Sequence, residues 1–245
     1  MKRIRISSSI ANFKLKLRAR YEDYEDFKWF SKDPTLFFGA YHVGDFLRIL
    51  THRGNATIFW CGSDIITLTK FKASLVAGCK HYCENTVEQN KLSLFGIHSE
   101  IHPMLFDEPG KYQVTYKHSS TPTVWMSYHL GREEEYGLYR LLNITQRVPG
   151  VIFRFFDGKT KTDDFDEVTS KFQATIRLNE HDGFSENLAK AMLRGQYAFS
   201  VIPYPDIETI TDDASLIKAL NELKDKKQPH DTSYWREQLS KRVEI

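Results

Sequence analysis

"NEHDGFSENLAKAMLRGQYAFSVIPYPD", residues 179–206, decides the reading of the fold. A polar loop with one glycine leads into a short amphipathic stretch. A second glycine ends it, and an apolar run closed by two prolines follows. Ser185 suits a helix N-cap, Leu188, Ala191 and Met192 share an inward face, and Gly195 is placed to stop the helix. "ATIRL" (174–178) before the loop and "YAFSVI" (197–202) after the helix read as buried strands. Strand, loop, helix, strand implies a parallel sheet, and such sheets bind ligands beyond the carboxyl ends of their strands. The loop sits at such an end. The amides of Gly183, Phe184 and Ser185 are expected to lack intrahelical partners at the positive end of the helix dipole, a site for an anion such as a diphosphate. Gly183 lets the backbone approach closely. An ordinary strand-to-helix turn has the same composition, so this loop alone does not name a ligand.

A second loop, "SYHLGREEEYG" (127–137), also follows a strand (123–129) and precedes a helix. Arg132 is placed there to reach a phosphate as a planar fork, or else to pair with Glu134 or Glu135 in the first helical turn. The helix is expected over 133–148, with Leu138, Leu141, Leu142 and Val148 as its apolar stripe. "VIFRFF" (151–156) is a further strand, and Leu216, Ala219, Leu220 and Leu223 mark a helix near the end.

The first half repeats the pattern. "TLFFGAY" (35–41) and "ATIFWCG" (56–62) read as strands around a helix with Phe46, Ile49 and Leu50 on one face. "HYCEN" and "EIHPML" read as strands around a helix over 86–95. Alternation of this kind gives two Rossmann-like α/β blocks, joined at the turn "DEPG" near residue 110. The expected division is 1–110, 111–230, and a terminal helix over 231–245 crossing back to the first domain. At 245 residues the chain has room for this.

Composition is that of an ordinary soluble protein: 41% hydrophobic, 27% charged, net charge +2. Charge is uneven. Lys2, Arg3, Arg5, Lys14, Lys16, Arg18 and Arg20 occur with no acid among them, a solvated face or a patch for phosphate on lipid or nucleic acid. No apolar run approaches the roughly 20 residues that span a bilayer, and no signal-peptide pattern opens the chain. Cys61, Cys79 and Cys83 form no CxxC pair and read as reduced thiols, so a cytoplasmic location is expected.

With these elements in order, residues 35–245 resemble the GT-B glycosyltransferases, especially their large family-4-like retaining group. "HDGFSENLAKAMLRGQYAFSVIPYP" resembles that family's acidic-Gly-Phe loop and following helix. "GREEEYG" resembles its Gly-Arg loop, "AGCKHYCENTVEQNKLSLFGIHSEIHPML" the end of its first domain, and "YWREQLSKRVE" its last helix. The resemblance implies two domains facing across a cleft, the first shortened here, and a nucleoside diphosphate sugar as donor. It implies diphosphate contacts from Arg132, Gly183, Phe184 and Ser185, and a donor contact from Asp182; His181 beside it reads either as a contact to the donor sugar or phosphate or as a loop histidine with no ligand. Departures are visible. The second of the family's two glutamates is Lys190, expected to face the cleft beside Asp182; it cannot accept from ribose hydroxyls but can donate to them or to a phosphate. Glu186, four residues before it, is expected to pair with it in an empty site. The phosphate-binding lysine expected beside Arg132 is Tyr136.

His42 and Asp64 each follow a strand of the first block. They read either as acceptor-binding or acid/base groups on the far side of the cleft, or as a surface imidazole and a helix cap. Asp164-Phe165-Asp166 spells a metal-binding DxD but lies in a polar stretch, and no metal is expected. No HExxH or GxSxG is present. The expected function is metal-independent transfer of a sugar from a nucleoside diphosphate sugar to a hydroxyl on a glycan, lipid-linked or small-molecule acceptor, with no cofactor. Two alternatives stand beside it: a non-catalytic GT-B-like binding protein, and a DNA-base glycosyltransferase using the basic segment. Residues 2–20 also leave room for peripheral membrane contact.

Overall fold

The structure, a computed structural model, describes residues 1–158, 164–181 and 183–245. It divides into two compact units. Unit 1 is Met1–Glu108, His181–Phe184 and Gln238–Ile245; unit 2 is Pro109–Glu180 and Ser185–Glu237.

Unit 1 runs β1 (Arg3–Ile6), α1 (Lys14–Arg20), β2 (Glu25–Asp26), β3 (Thr35–Phe38), α2 (Val43–Thr51), β4 (Ala56–Phe59), α3 (Ser63–Ile66), α4 (Lys70–Val76), β5 (Lys80–Cys83), α5 (Thr86–Ser93) and β6 (Glu100–Ile101). Among the described residues its six strands form one parallel sheet, in the order β2-β1-β3-β4-β5-β6. Strand β3 shows why its sequence is apolar without alternation. Leu36 and Phe38 pack with Ile4, Ile6, Leu17, Tyr21 and Phe59, whereas Phe37 packs with Phe46, Ile49, Ile58 and Trp60 on the opposite face. Helices cover both faces, so both side-chain directions bury apolar surface, about 1.5–3 kcal/mol for each large side chain.

The first 34 residues carry three elements that the periodicity did not announce. In β1, Arg3 is buried: its Nε donates to Asp33 at 2.7 Å and its Nη1 to Glu25 at 2.9 Å. Two carboxylates distant in sequence thus neutralise a charge inside a strand.

Unit 2 runs β7 (Thr123–Tyr128), α6 (Leu138–Thr145), β8 (Ile152–Asp157), α7 (Phe165–Ser170), β9 (Ala174–Arg177), α8 (Glu186–Leu193), β10 (Tyr197–Ser200), β11 (Glu208–Thr209), α9 (Asp213–Glu222) and α10 (Ser233–Ser240), the last entering unit 1 at Gln238. Among the described residues its sheet is parallel, in the order β11-β10-β9-β7-β8. Val124, Met126, Ile176 and Phe199 pack against Leu141 and Ile144 of α6 and Leu216 and Leu220 of α9.

Helix α8 begins where the sequence places it. Ser185 caps it, its hydroxyl accepting from the Asn187 amide, and Gly195 closes it with the amides of Gly195 and Gln196 donating to Met192 and Ala191 carbonyls. Helix α6 begins later than expected. Gly137 adopts φ +71°, outside the right-handed helical region, and a Cβ there would meet the Leu178 side chain at 2.7 Å. Residues 133–137 therefore form turns, and the helix starts at Leu138.

Candidate functional site

At the carboxyl edge of the unit 2 sheet, β7 and β9 end in Tyr128 and Arg177, and α8 is the next helix after β9 in sequence. The Arg177 guanidinium lies over the Tyr136 ring at 4.5 Å and the Arg132 guanidinium over the same ring at 5.4 Å. Tyr136 is buried, so its face provides a fixed electron-rich platform that gathers two cations. Arg177 Nη1 also donates to the Ser127 carbonyl at 3.4 Å, and the Asn187 side-chain amide donates to the Ser127 hydroxyl. Arg132 is exposed and forks onto Glu135, with its Nε at 2.7 Å from Oε2. The pairing with Glu135, one of the two readings of Arg132, is the one in place.

The loop His181–Phe184 belongs to unit 1. The amide of Phe184 donates to Glu84 Oε2 at 3.0 Å, whereas the sequence reading left that amide for an anion of a ligand. Glu84 follows β5 and is buried. A Cβ on Gly183 would lie 1.9 Å from Glu84 Oε2, so the close approach that Gly183 permits is to this carboxylate. His181 Nδ1 lies 3.2 Å from Lys91 Nζ. Asp182 lies outside the described residues. Gly183, Phe184 and Ser185 are consecutive, as any strand-to-helix loop requires, but the Ser185 hydroxyl is used by its own helix.

Lys190 departs from the expectation of a pair with Glu186. It is buried on α8 and its ammonium lies 2.9 and 3.1 Å from the two Asp166 oxygens. Asp166 also receives Arg194 at 3.2 Å. Burial raises the Asp166 pKa, but Lys190 and Arg194 outweigh it and the net shift is downward. The second acid of the DxD sequence is thus the hub of an ion-pair triad between α7 and α8. Among the described residues no group of three or more His, Cys, Asp or Glu is placed to hold a metal ion.

In unit 1, Asp64 and His42 lie at consecutive strand-to-helix loops. Asp64 is fully buried, and its carboxylate accepts from the amides of Ala40 at 3.1 Å and Cys61 at 3.0 Å. Burial pushes its pKa up to about 6, against the pull of those amides. It ties the loop after β3 to the loop after β4. His42 is exposed; its Nε2 is 2.8 Å from the Ser9 hydroxyl, and its amide donates to Asp45 at the start of α2.

Most of the basic N-terminal run is spent inside unit 1. Arg3 pairs with Asp33 and Glu25, Lys16 lies 3.7 Å from Asp107, and Arg18 lies 3.6 Å from Asp26. Buried Arg20 donates to the carbonyls of Leu105, Leu239 and Lys241 at 2.5, 2.6 and 2.7 Å.

No protein-family model matches the chain, and no curated protein matches its sequence. Solved structures do match its fold. The pneumococcal O-GlcNAc transferase GtfA, determined in complex with UDP and GlcNAc, matches with a TM-score of 0.53 at 10% identity, over 85% of this chain and 54% of its own. The lipopolysaccharide outer core galactosyltransferase WaaB matches with a TM-score of 0.54 at 11% identity, over 95% and 76% of the two chains. Sucrose-phosphate synthase from Thermosynechococcus elongatus matches with 0.54 at 10%, over 95% and 70%. This chain has the GT-B fold. It spans about half the length of GtfA. Within a GT-B chain, Arg177, Arg132 and Asn187 stand at the strand ends and helix start where parallel sheets hold ligands. Arg177 is the residue that sequence reasoning missed: a charged residue closing "ATIR" reads as a strand boundary. Its polar character at a strand's carboxyl end was the available signal. No helix among the described residues is long and apolar enough to cross a membrane.

Proposed function

We propose that the chain transfers a glycosyl group from a nucleoside diphosphate sugar to a hydroxyl acceptor. The observation that carries this reading is the pair of guanidiniums, Arg177 and Arg132, gathered on the Tyr136 ring at the carboxyl edge of a GT-B sheet. Cations fixed there stabilise the charge that grows on a departing diphosphate, and fixed donors do so without reorganising during the reaction. Where the resembled family places a lysine, this chain uses a tyrosine to assemble two arginines. Glu135 holds the Arg132 fork and would yield it to the diphosphate, a better bidentate partner. Ser185, at the start of α8 in unit 2, lines the donor in this reading, and the family resemblance adds donor contacts from His181, Asp182 and Gly183. Phe184 serves through its position, since its amide is bonded to Glu84. Asp64 acts as a positioning residue, and exposed His42 is the acid/base candidate. Retention at the anomeric carbon and independence from metal follow the family resemblance.

The test is thermal shift with UDP, GDP, ADP and CDP, their sugars and the free nucleosides. A true donor raises the melting temperature by mass action, by about 2.7 kcal/mol of stability at a hundredfold excess over Kd. Arg177→Ala should weaken the matching diphosphate at least about tenfold and leave the nucleoside unchanged, because charge-assisted bonds are worth about 1.5–3 kcal/mol. Failure of every diphosphate and sugar nucleotide to stabilise the chain would sink the proposal.

A non-catalytic GT-B protein is the second reading, favoured by the Phe184 amide bonded to Glu84 and by Lys190 bonded to Asp166. Binding of a sugar nucleotide without release of its diphosphate, across a panel of sugar, glycerol and lipid-linked hydroxyl acceptors, would select it. Duplex DNA binding that collapses between low and moderate salt would select the base-modifying alternative instead.

A further inference from the structure

Among the described residues, three of the four sheet edges are closed by strands of two residues: β2 and β6 in unit 1 and β11 in unit 2. Very short edge strands protect a sheet against pairing with another chain. The fourth edge is β8, six residues long, with no proline or lysine in it. Among the described residues it pairs with β7 alone. The amides of Ile152 and Gly158 donate to the carbonyls of Pro122 and Tyr128 at 2.9 and 2.7 Å, so the even-numbered residues turn their backbone groups to β7. The odd-numbered residues turn theirs outward, and those of Phe153 and Phe155 have no backbone partner among the described residues.

The flank of unit 2 beside this edge is apolar as well. On α6, Arg140 pairs at 2.7 Å with Asp213 at the start of α9, which fixes the side of the helix that faces α9. Leu142 lies two residues on, about 160° round the helix from Arg140, and so on the β8 side. Leu142 and Tyr139 are 41% and 53% exposed, although Leu138, Leu141 and Ile144 of the same helix are buried. On the strand, Ile152 is exposed, and Phe153 and Phe155 are only partly covered.

We propose that β8 pairs antiparallel with β8 of a second copy of this chain, about a two-fold axis at Phe155, so that one sheet runs across a dimer. The sequence of the strand itself argues for a copy as the occupant. A two-fold axis normal to the sheet keeps every side chain on its own face, so the axis passes through a residue and opposed residues are of equal parity. Within Ile152–Asp157, only axes at Arg154 and Phe155 match five residues of each strand. An axis at Arg154 sets two guanidiniums directly opposite, which is destabilising. The axis at Phe155 sets Phe155 against its own copy, Phe153 against Asp157 and Arg154 against Phe156. The two Phe155 residues then exchange their outward hydrogen bonds, and each guanidinium meets an aromatic ring. Arg154 thus selects a single register. A crossover helix lies over the two strands it joins. With strands about 4.8 Å apart, the two α6 helices come about 10 Å apart, the distance at which helices pack. Leu142 and Tyr139 then cover their counterparts.

Sedimentation equilibrium of the full chain should give twice its mass, falling toward the monomer on dilution. Leu142→Glu puts like charges between the copies and should weaken the dimer at least about tenfold. Leu47→Glu, on the exposed side of α2 in unit 1, should leave it unchanged. Register is read by disulfide trapping on a non-reducing gel, with the parent, which carries Cys61, Cys79 and Cys83, as the background. Hydrogen-bonded antiparallel partners have Cα atoms about 5.5 Å apart, within the range a disulfide spans. Phe155→Cys should cross-link and Arg154→Cys should not. Leu142→Glu alters an exposed side chain, so its result stands even where Phe155→Cys does not fold. The proposal is overturned if the chain stays monomeric at every concentration, which assigns the edge to some other strand. It is overturned equally if Leu142→Glu leaves the dimer intact, or if a folded Phe155→Cys protein does not cross-link. Loss of the dimer in Leu47→Glu alone moves the contact to unit 1. None of these readouts uses a sugar nucleotide, so the dimer and the glycosyltransferase reading stand or fall separately.

Discussion

Asp64 leaves β4 of unit 1 and is sealed, with both oxygens accepting from backbone amides. Arg177 leaves β9 of unit 2 and stays half-buried, its charge lying on an aromatic face. Asp64 lies in α3 just after β4 and Arg177 ends β9, so both stand on the carboxyl side of a parallel strand. In unit 1 the polar groups there are used to shape the chain's own loops. In unit 2 two of them, Arg177 and Arg132, are gathered on the face of Tyr136. Position at a strand end therefore does not make a residue a ligand contact; the partner it already has decides that.

The first way to break this comparison is Arg20→Ala. The change removes the donor for four carbonyls in unit 1, those of Leu105, Asp107, Leu239 and Lys241, two of them in buried bonds. A loss of about 3–5 kcal/mol is expected, as for dismantling a buried charged network. Hydrogen exchange should show β3 and β4 amides losing protection while β7 and β9 keep theirs. Equal loss in both sheets would mean that the network is not local to unit 1.

A second test uses protons. Folded Asp64 holds its proton up to about pH 6, whereas an unfolded aspartate releases it near pH 3.9. The folded state binds more protons in that window, so Asp64 makes stability fall as pH rises through it, by about 3 kcal/mol in all. Buried His81 acts oppositely. Burial lowers its pKa to about 4, while its Nδ1 accepts from Trp60 Nε1 and its Nε2 faces the Val76 carbonyl. The unfolded imidazole takes a proton near pH 6.5, so His81 makes stability fall as pH drops from there toward 4, by about 3 kcal/mol. The two contributions oppose each other between pH 4 and 6. Relative to the parent, Asp64→Asn should lose stability on acidification through this window and His81→Gln should gain it, measured by urea midpoints at pH 4, 5 and 6.5. Parallel profiles for the three proteins would refute the pairing.

The smallest expected effect belongs to Lys190→Met. Asp166 is half-exposed and keeps Arg194, so the cost should be about 1 kcal/mol. Affinity for the nucleotide that stabilises the parent should not change. A tenfold affinity loss at unchanged stability would return Lys190 to the ligand and blur the contrast drawn above.

Strands β7 to β10 of unit 2 were legible because they are apolar runs bounded by turn residues, and α8 because Ser185 and Gly195 punctuate it; the short polar β11 was not. Strand β1 was not, since its Arg-Ile-Arg-Ile alternation is short and stands in a basic run, and the acids that neutralise the buried Arg3 lie at Glu25 and Asp33. The start of α6 was misread because Glu133, Glu134 and Glu135 imitate a first helical turn, whereas Gly137 at positive φ breaks it. Of the site, Arg132 and its alternative partner Glu135 are three residues apart and could be read locally. Lys190 with Asp166 and Phe184 with Glu84 are tertiary pairings, far apart in sequence, that no local pattern encodes.

The composition of unit 1 from three separate segments bears on how the protein is made. Gln238–Ile245 is delivered only after all of unit 2 has been synthesised, yet Val243 is in the unit 1 core and Leu239 and Lys241 supply acceptors for Arg20. At about 5–20 residues per second, a delay on the order of ten seconds separates Glu108 from those residues on a translating ribosome. Throughout that interval the nascent first sheet lacks the Leu239 and Lys241 acceptors of Arg20 and the side chain of Val243, which arrive only after unit 2 has been synthesised through Glu237. Synthesis thus imposes an order that the sequence numbering reverses: the unit begun first is finished last.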